Sequence, residues 1–175
     1  MKGKIILLLV TAAFTAPVTQ AENQGYAGAF YGLVESEDVE TGNLGILVGS
    51  SWNNGVGIEF MYSFTINEEE LSEGPFTADV SIDTLGLYAT YTAGEEFYLR
   101  GKAGYAKVDL EFDFEGLGSI DDDTSDFSFG VSFGYRTTNG ALELTYLVLP
   151  EFDDFQGIEV DADVDMLSIG YNFNF

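Results

Sequence analysis

Residues 167–175 alternate strictly between two kinds of side chain. Leu167, Ile169, Tyr171, Phe173 and Phe175 are apolar or aromatic, whereas the residues between them are Ser, Gly or Asn. Because successive side chains of a β-strand point to opposite faces, this pattern predicts a strand with one wholly apolar face. Such a strand needs an apolar environment along the full length of that face.

Seven other segments alternate in a similar way, weakly in the first of them, which predicts an all-β protein of eight strands. In the clearest of them, Ile58, Phe60 and Tyr62 alternate with Glu59 and Met61. The 15 Phe, 10 Tyr and 21 Gly residues suit pleated strands that pack closely in places. The predicted strands cover approximately residues 25–34, 43–51, 56–66, 84–91, 97–105, 127–136, 142–148 and 167–175.

The N-terminal residues have the features of a secretory signal peptide. Lys2 and Lys4 precede an apolar run at residues 5–10 and a small-residue cleavage site that ends at Ala21. We therefore expect residues 1–21 to be removed and residues 22–175 to form one domain. The apolar run is shorter than the roughly 20 residues of a membrane-spanning helix, and no later segment reaches that length. The sequence contains no Cys, so export brings no disulfide framework.

The connections between the predicted strands alternate between short and long. Short turns at residues 52–55, 93–96 and 138–140 include Asn54-Gly55 and Asn139-Gly140, a dipeptide typical of type I′ hairpin turns. The other connections, at about residues 35–40, 68–83, 109–126 and 151–165, are long and hold most of the 30 acidic residues. Short turns at one end and long loops at the other are typical of an outer-membrane barrel with periplasmic termini and extracellular loops.

The apolar face of each strand could point outward to lipid or inward to a core. The inward alternative is a soluble lipocalin-like barrel or a sandwich, and its exterior would then carry Gly, Ser, Thr and Asn with almost no basic residues. An eight-stranded barrel has an interior only wide enough for side chains, which suits small residues inside and Phe-rich faces outside. The pattern therefore favours the transmembrane barrel.

At this point the chain resembles a known family. The predicted signal peptide, the eight strands and the terminal Phe175 are similar to the small outer-membrane barrels of the OmpA/OmpX-like superfamily, and residues 97–105 resemble that superfamily's fifth strand. The resemblance implies an eight-stranded antiparallel up-and-down barrel in the bacterial outer membrane, in contact with lipid and lipopolysaccharide. It covers the mature chain without a periplasmic peptidoglycan-binding domain. It also implies that Tyr171, Phe173 and Phe175 form the recognition signal for the barrel assembly machinery.

Five charged residues fall on the strand faces that would line the lumen. They are Glu59, Arg100, Lys102, Arg136 and Glu143. Unpaired charges are costly in a narrow interior, so we expect ion pairs among them. The pairs could order a closed lumen, or they could rearrange to gate an ion path, and the sequence leaves both alternatives open.

The acidic connections suggest a possible metal site. Asp121, Asp122, Asp123 and Asp126 concentrate carboxylate oxygens, which Ca²⁺ prefers as ligands. The spacing of an EF-hand is missing, and a solvated polar loop explains the same residues. A divalent ion that bridges the loops to lipopolysaccharide phosphates is a variant of this hypothesis. No other cofactor is indicated.

One acidic stretch is also amphipathic. Val108, Leu110 and Phe112 alternate with acidic residues, and the preceding predicted strand offers Val80 and Ile82 beside them. These segments could extend a hairpin beyond the membrane with one apolar and one acidic face. The apolar face would then cover the barrel mouth or contact a surface ligand.

Composition narrows the function classes. A net charge of −24 excludes nucleic-acid binding through phosphate contacts, and a chain without His lacks the residue on which outer-membrane barrel enzymes depend. We therefore expect a monomeric, non-enzymatic barrel with a structural or surface-interaction role in envelope integrity, adhesion or recognition. The alternatives are a narrow porin-like channel for ions or small solutes and a soluble secreted binding barrel.

Overall fold

In the described part of the chain, nine antiparallel strands form a single sheet that closes on itself. The structure, a computed structural model, describes residues 23–36, 39–73, 76–114, 118–155 and 158–175. The predicted signal peptide lies outside these residues. The strands are β1 (Asn23–Ser36), β2 (Val39–Trp52), β3 (Val56–Asn67), β4 (Glu69–Glu73), β5 (Phe76–Gly94), β6 (Phe97–Phe114), β7 (Gly118–Arg136), β8 (Gly140–Phe155) and β9 (Ile158–Asn174).

Eight of these strands make up the wall of a closed barrel. Consecutive strands pair around the wall, β1 pairs with β9, and β4 follows β3 after Glu68 and pairs with the outer part of β5. The predicted eight-stranded antiparallel up-and-down barrel is therefore confirmed. The described residues contain no helix of the length and apolarity that crossing a membrane requires.

The short interruption between β3 and β4 is held by side chains. The β3–β5 ladder ends at Ser63↔Thr84, and the β4–β5 ladder begins at Glu69↔Val80. Between them the Thr65 hydroxyl accepts the Ile82 N–H at 2.8 Å, and the Asp83 carboxylate accepts the Thr65 N–H at 3.1 Å. These bonds replace the missing ladder and keep the wall continuous.

The C-terminal segment forms the end of β9 and closes the barrel against β1. The register runs from Tyr26↔Asn174 to Ser36↔Val164, and the Phe175 N–H donates to the Gly25 carbonyl at 2.9 Å. Ser168 and Asn172 are buried in the lumen, while Phe173 is 60% exposed on the outside. The predicted assignment of the two faces is correct.

The outside of the barrel has an apolar belt without charged side chains. Outward-facing charges begin beyond the belt at Glu35, Asp83, Lys107 and Asp165. A band of exposed apolar side chains around a closed barrel is the surface that contacts lipid in outer-membrane proteins. Its larger members are Tyr31, Leu33, Leu44, Ile46, Ile58, Phe64, Leu85, Leu87, Leu99, Tyr105, Phe127, Phe129, Val131, Phe133, Leu142, Leu144, Tyr146, Leu167, Ile169 and Phe173.

The lumen has room for aromatic rings only because glycines face them. A Cβ at Gly45 would overlap the ring of Phe30, and a Cβ at Gly134 would overlap the ring of Tyr98. Eight strands leave an interior that side chains fill, so each large ring needs an opposing residue with no side chain. The alternation of Gly with large residues in the sequence is therefore a packing requirement of the lumen.

The turns at one end, here called the short-turn end, agree with expectation in length but not in every conformation. Gly55 has φ +83° and its N–H donates to the Trp52 carbonyl at 2.9 Å, as expected for an Asn-Gly turn. Gly94 also has a positive φ. Gly140 does not. It begins β8, and its carbonyl accepts the Thr137 N–H at 2.8 Å. The Asn139-Gly140 prediction was wrong because strand pairing starts one residue earlier than the dipeptide implies.

At the opposite end, here called the hairpin end, the predicted long loops are largely continuations of the strands. Pairing reaches Ser36↔Val39, Glu73↔Phe76, Phe114↔Gly118 and Phe155↔Ile158. In β6 the acidic residues Asp109, Glu111 and Asp113 alternate with apolar residues, and that alternation suits a strand with one buried face. The prediction that the amphipathic segments extend a hairpin is confirmed.

The belt predicts how the protein responds to a charge on its outside. Val131→Arg, near the middle of the belt on β7, should lower the free energy of unfolding by about 2–4 kcal/mol, because a charge at the bilayer midplane is costly. Asp121→Arg lies on the same strand and face beyond the belt, so it should cause no loss. Urea unfolding in lipid bilayers measures both, and equal effects would contradict the assignment of the belt.

Candidate functional site

Four charged side chains meet in the middle of the lumen. Glu59 from β3 pairs with Lys102 at 2.6 Å and with Arg100 at 3.3 Å. Glu143 from β8 pairs with Arg100 at 3.2 Å and with Lys102 at 3.5 Å. Arg100 and Lys102 are two residues apart on β6, so both point inward. The charges of this group, here called the lumen cluster, balance to zero.

Two tyrosines and an asparagine complete the lumen cluster. The Tyr26 hydroxyl donates to Glu59 at 2.8 Å, and the Tyr98 hydroxyl donates to Glu143 at 2.9 Å. Asn172 donates its amide to Glu143 at 2.8 Å. The Arg100 guanidinium lies 4.8 Å from the Tyr26 ring centroid and 5.4 Å from that of Tyr98. Sequence reasoning missed these three residues, although their inward positions follow from the same alternation.

The lumen cluster is largely removed from solvent. Glu59 is 0% exposed, and Arg100, Lys102 and Glu143 are each less than 8% exposed. Burying a charge is costly unless an opposite charge and hydrogen bonds replace water, and each carboxylate here has both. The cluster therefore fixes β3, β6 and β8 relative to one another.

Arg136, the fifth residue of the predicted network, lies outside the cluster. It is exposed at the end of β7, with its guanidinium 5.1 Å from the centroid of the Tyr98 ring. No carboxylate of the described residues lies within ion-pair distance of it. The predicted position on the lumen side is right. Glu143 lies opposite Gly134, however, so Arg136 is two residues nearer the short-turn end than the cluster.

An apolar layer fills the lumen between the cluster and the hairpin end. None of its side chains is more than 5% exposed. The inward faces of Val34, Ile82 and Val108 belong to it, so the extended hairpins bury their apolar face inside the barrel. The layer consists of Phe30, Val34, Met61, Ile82, Tyr88, Ala106, Val108, Leu147, Leu149, Val164 and Met166.

Two cavities show how far the lumen is open. One of about 370 Å³ opens at the short-turn end and reaches Arg100. The other, between Glu143 and Met166, measures about 10 Å³, which is near the space that a single water molecule occupies. The larger of these two cavities therefore reaches the lumen cluster from the short-turn end.

The outward face of the hairpin end carries an array of carboxylates across three strands. Asp109 on β6 lies opposite Asp83 on β5 and Asp123 on β7, and Glu111 lies opposite Asp121. Directly opposed like charges destabilise a sheet. Lys107 offsets part of the repulsion, since its ammonium pairs with Asp109 and, at 3.3 Å, with Asp123. Partial burial by itself would lower the pKa of Lys107, but the hydrogen bonds and charges of the two carboxylates raise it above its ordinary value.

The structure does not bring the four aspartates of the predicted metal site together. They lie along β7, where Asp121 and Asp123 point outward and Asp122 and Asp126 point to the other face. Across the described residues, no group of three or more acidic side chains is arranged to hold a metal ion.

Asp122 and Asp126 instead bond to the backbone of their own strand. The Asp122 carboxylate accepts the Asp123 N–H at 2.9 Å, and the Asp126 carboxylate accepts the Phe127 N–H at 2.7 Å. Successive N–H groups of a strand point to opposite neighbours. The Arg136 N–H donates to the Glu96 carbonyl on the β6 side, so the N–H groups of odd-numbered residues on β7 point toward β8.

That edge of β7 is open at the hairpin end. The described β7–β8 ladder ends at Phe129↔Val148, whereas β6–β7 pairing continues to Phe114↔Gly118. A side-chain bond from Thr124 to the Glu151 carbonyl, 3.1 Å long, spans the two strands. Unpaired strand edges can recruit another chain, and charged side chains on an edge oppose this. The two aspartates therefore protect the open edge.

The three aromatic residues of the predicted assembly signal lie at the short-turn end. The rings of Tyr171 and Phe173 are in edge contact at 4.8 Å between centroids, and the Tyr171 hydroxyl lies 2.7 Å from that of Thr137. Phe175 is 64% exposed. Recognition of these residues by the assembly machinery stays a prediction.

A sequence comparison identifies the family. The profile of the outer membrane protein beta-barrel domain matches residues 6–175. The chain belongs to this family. Membership of this family implies that the chain is a protein of the bacterial outer membrane. The resemblance expected from the sequence is confirmed. No curated protein matches the sequence.

Solved structures agree with the fold of the outer membrane protein beta-barrel domain. A major outer membrane protein of Thermus thermophilus gives a TM-score of 0.65 at 12% identity, over 87% of this chain and 99% of that one. Neisserial surface protein A gives 0.60 at 17% identity, over 88% and 97%. Ail of Yersinia pestis, crystallised with the heparin analogue sucrose octasulfate, gives 0.59 at 14% identity, over 87% and 97%. At these identities the likeness extends to the fold alone.

The lumen cluster predicts a large cost for breaking one of its pairs. Glu59→Ala should lower the free energy of unfolding by about 3–5 kcal/mol, because it leaves two buried cations to share the single carboxylate of Glu143. The double variant Glu59→Leu, Lys102→Met keeps the Arg100–Glu143 pair and should recover most of the loss. Urea unfolding measures both, with the exposed Glu111→Ala as control. A double variant that is no more stable than Glu59→Ala would contradict the coupling between Glu59 and Lys102.

The open edge of β7 predicts self-association when its protection is removed. Asp122→Ala with Asp126→Ala should produce dimers or larger species, because two edge N–H groups lose their acceptors. Asp121→Ala with Asp123→Ala removes the same charge from the opposite face and should stay monomeric. Sedimentation in detergent distinguishes the two, and equal association would assign the effect to net charge.

Proposed function

We propose that this outer-membrane barrel is a non-catalytic surface protein that presents its acidic hairpins to cationic partners. The observation that carries the proposal is the carboxylate array on β5, β6 and β7, in which acidic residues lie opposite one another. Because such opposition costs stability, a strand surface that keeps it is expected to have a use outside the fold. Envelope integrity, adhesion and recognition are roles of this type.

The hairpin end is proposed to be extracellular and the short-turn end periplasmic. Outer-membrane barrels have short periplasmic turns and longer extracellular connections, and the described strands extend far beyond the belt at one end only. In this orientation the array begins at the extracellular edge of the belt, beside the lipopolysaccharide, and the Tyr171, Phe173 and Phe175 rings lie at the periplasmic lipid boundary.

The charge of the hairpins indicates the chemistry of the partner. Lys107 is the basic residue of the described hairpin end, and it is paired with two carboxylates. A sulfated ligand such as the one in the Ail complex would meet repulsion here. A Lys- or Arg-rich protein surface fits, and divalent ions between the array and lipopolysaccharide phosphates would supply the same complementarity.

A narrow channel is the second candidate. The polar cavity that reaches the lumen cluster from the short-turn end supports it. The apolar layer opposes it, since its side chains leave no room for hydrated ions. Conduction would require these side chains and the ion pairs to move together.

Binding to a cationic surface tests the first proposal. Protein reconstituted in vesicles should bind a Lys-rich peptide, and the affinity should fall as salt is added. Asp121→Asn with Asp123→Asn should weaken binding several-fold. Glu95→Gln with Glu96→Gln removes the same charge at the opposite end and should not. Equal loss in the two variants, or binding that salt does not affect, would contradict the proposal.

Conductance in planar bilayers separates the two candidates. We expect no resolved single-channel current, because the lumen cluster and the apolar layer both obstruct the lumen. Leu149→Ala with Met166→Ala reduces the layer and should not create a steady current while the lumen cluster is intact. A regular current in the unmodified protein would establish the channel instead.

A further inference from the structure

The cavity at the short-turn end has a composition unlike the rest of the molecule. The whole chain has 30 acidic and 6 basic residues. Yet the walls of this cavity contain two arginines, Arg100 and Arg136, and no Asp or Glu. Its other walls consist largely of amides, hydroxyls and the rings of Tyr26 and Tyr98. At about 370 Å³ it lies within the usual range of small-molecule sites, which occur in the mouths of β-barrels.

The two arginines differ in what they offer to a ligand. Arg100 forms the floor and is committed to Glu59, Glu143 and Thr92. Arg136 lies at the rim and has no carboxylate of the described residues within ion-pair distance. A guanidinium carries five N–H donors in a planar fork that matches carboxylate and phosphate oxygens. Arg136 is therefore the cation that can bind an anion without breaking an ion pair of the fold.

The fold holds Arg136 in place for this use. Its guanidinium lies against the Tyr98 ring at 5.1 Å, and the Tyr98 hydroxyl is fixed by its bond to Glu143. Gly134, two residues earlier on β7, provides the space in which that ring lies. The Arg136 N–H donates to the Glu96 carbonyl at 2.8 Å, which fixes the end of the strand. An arginine stacked on an aromatic face keeps its edge donors free and loses little freedom on binding.

The acidic charges elsewhere do not cancel this site. Asp123 lies 13 residues from Arg136 along β7, roughly 40 Å at about 3.3 Å per residue. That distance exceeds the Debye length of about 8 Å at physiological ionic strength, so the hairpin charges are screened. Glu95 and Glu96 are nearer, but both are exposed in the turn and neither lines the cavity.

We propose that this cavity binds a small oxyanion, a solute that bears a carboxylate or phosphate group, with Arg136 as its principal ligand. The amides of Asn54 and Asn174 at the mouth supply further donors. This site is separate from the acidic hairpins and does not depend on their proposed role. In the proposed orientation it faces the periplasm, so its ligand is a periplasmic solute.

The site can be tested with inorganic phosphate and acetate as probes. Isotope-labelled protein, refolded in an uncharged sugar detergent without phosphate groups, is titrated at constant ionic strength against sodium chloride. Saturable shifts of the backbone amides of Asn53, Asn54 and Arg136, with those of the hairpin end unmoved, are expected for at least one probe. A response to phosphate alone assigns a phosphate-bearing ligand, and a response to both assigns oxyanions generally. Absent or non-saturable shifts with both probes would overturn the proposal.

Substitutions provide a matched comparison. Arg136→Gln should weaken binding roughly tenfold or more, as expected for loss of a charged hydrogen-bond donor, and Arg136→Lys should retain part of the affinity. Lys107→Gln removes the same charge at the opposite end and should leave binding unchanged. Equal weakening by Arg136→Gln and Lys107→Gln would overturn the site. If Arg136→Gln does not refold, the Arg136→Lys titration decides, because a lysine that binds as tightly as arginine contradicts the proposed fork geometry.

Discussion

The width of an eight-stranded lumen is the constraint on which the other features of this protein depend. The interior has room for side chains only, so Gly45 and Gly134 must face the rings of Phe30 and Tyr98. The same narrowness forces Glu59, Arg100, Lys102 and Glu143 into direct contact. Buried charges in such close contact are stable only when each has an oppositely charged partner. The cluster therefore fixes the relative positions of β3, β6 and β8.

The lumen cluster divides the molecule into two chemically different halves. Toward the hairpin end the interior holds the apolar layer, and the carboxylate array lies on the outside. Toward the short-turn end the interior is polar and open, and the charged residues that line it are arginines although the chain as a whole is acidic. The barrel thus has two chemically different surfaces, the carboxylate array at the hairpin end and a cavity with two arginines at the short-turn end.

The sequence allowed the prediction of the barrel and of four cluster residues, because side-chain alternation fixes which face each residue occupies. It did not locate the ends of the strands, since acidic residues such as Asp109 and Asp121 are typical of loops, although here they lie on one face of paired strands. The prediction that Arg136 joins the cluster was wrong. Alternation predicts which face of a strand a side chain occupies, but not how far along the barrel axis it lies. The roles of Asp122 and Asp126 depend on where the β7–β8 ladder stops, which no local pattern reveals.

The seam between β1 and β9 has a consequence for the kinetics of folding. Tyr26 pairs with Asn174, so the bond that closes the barrel joins positions about 150 residues apart in the chain. Contacts of such long sequence separation form slowly, because a large loop must be ordered before they contribute stability. Until β9 arrives, the edge of β1 is unpaired, and a chain with an unpaired strand edge is prone to aggregate. We therefore expect folding to benefit from a factor that keeps the edge of β1 from pairing with other chains until β9 has formed.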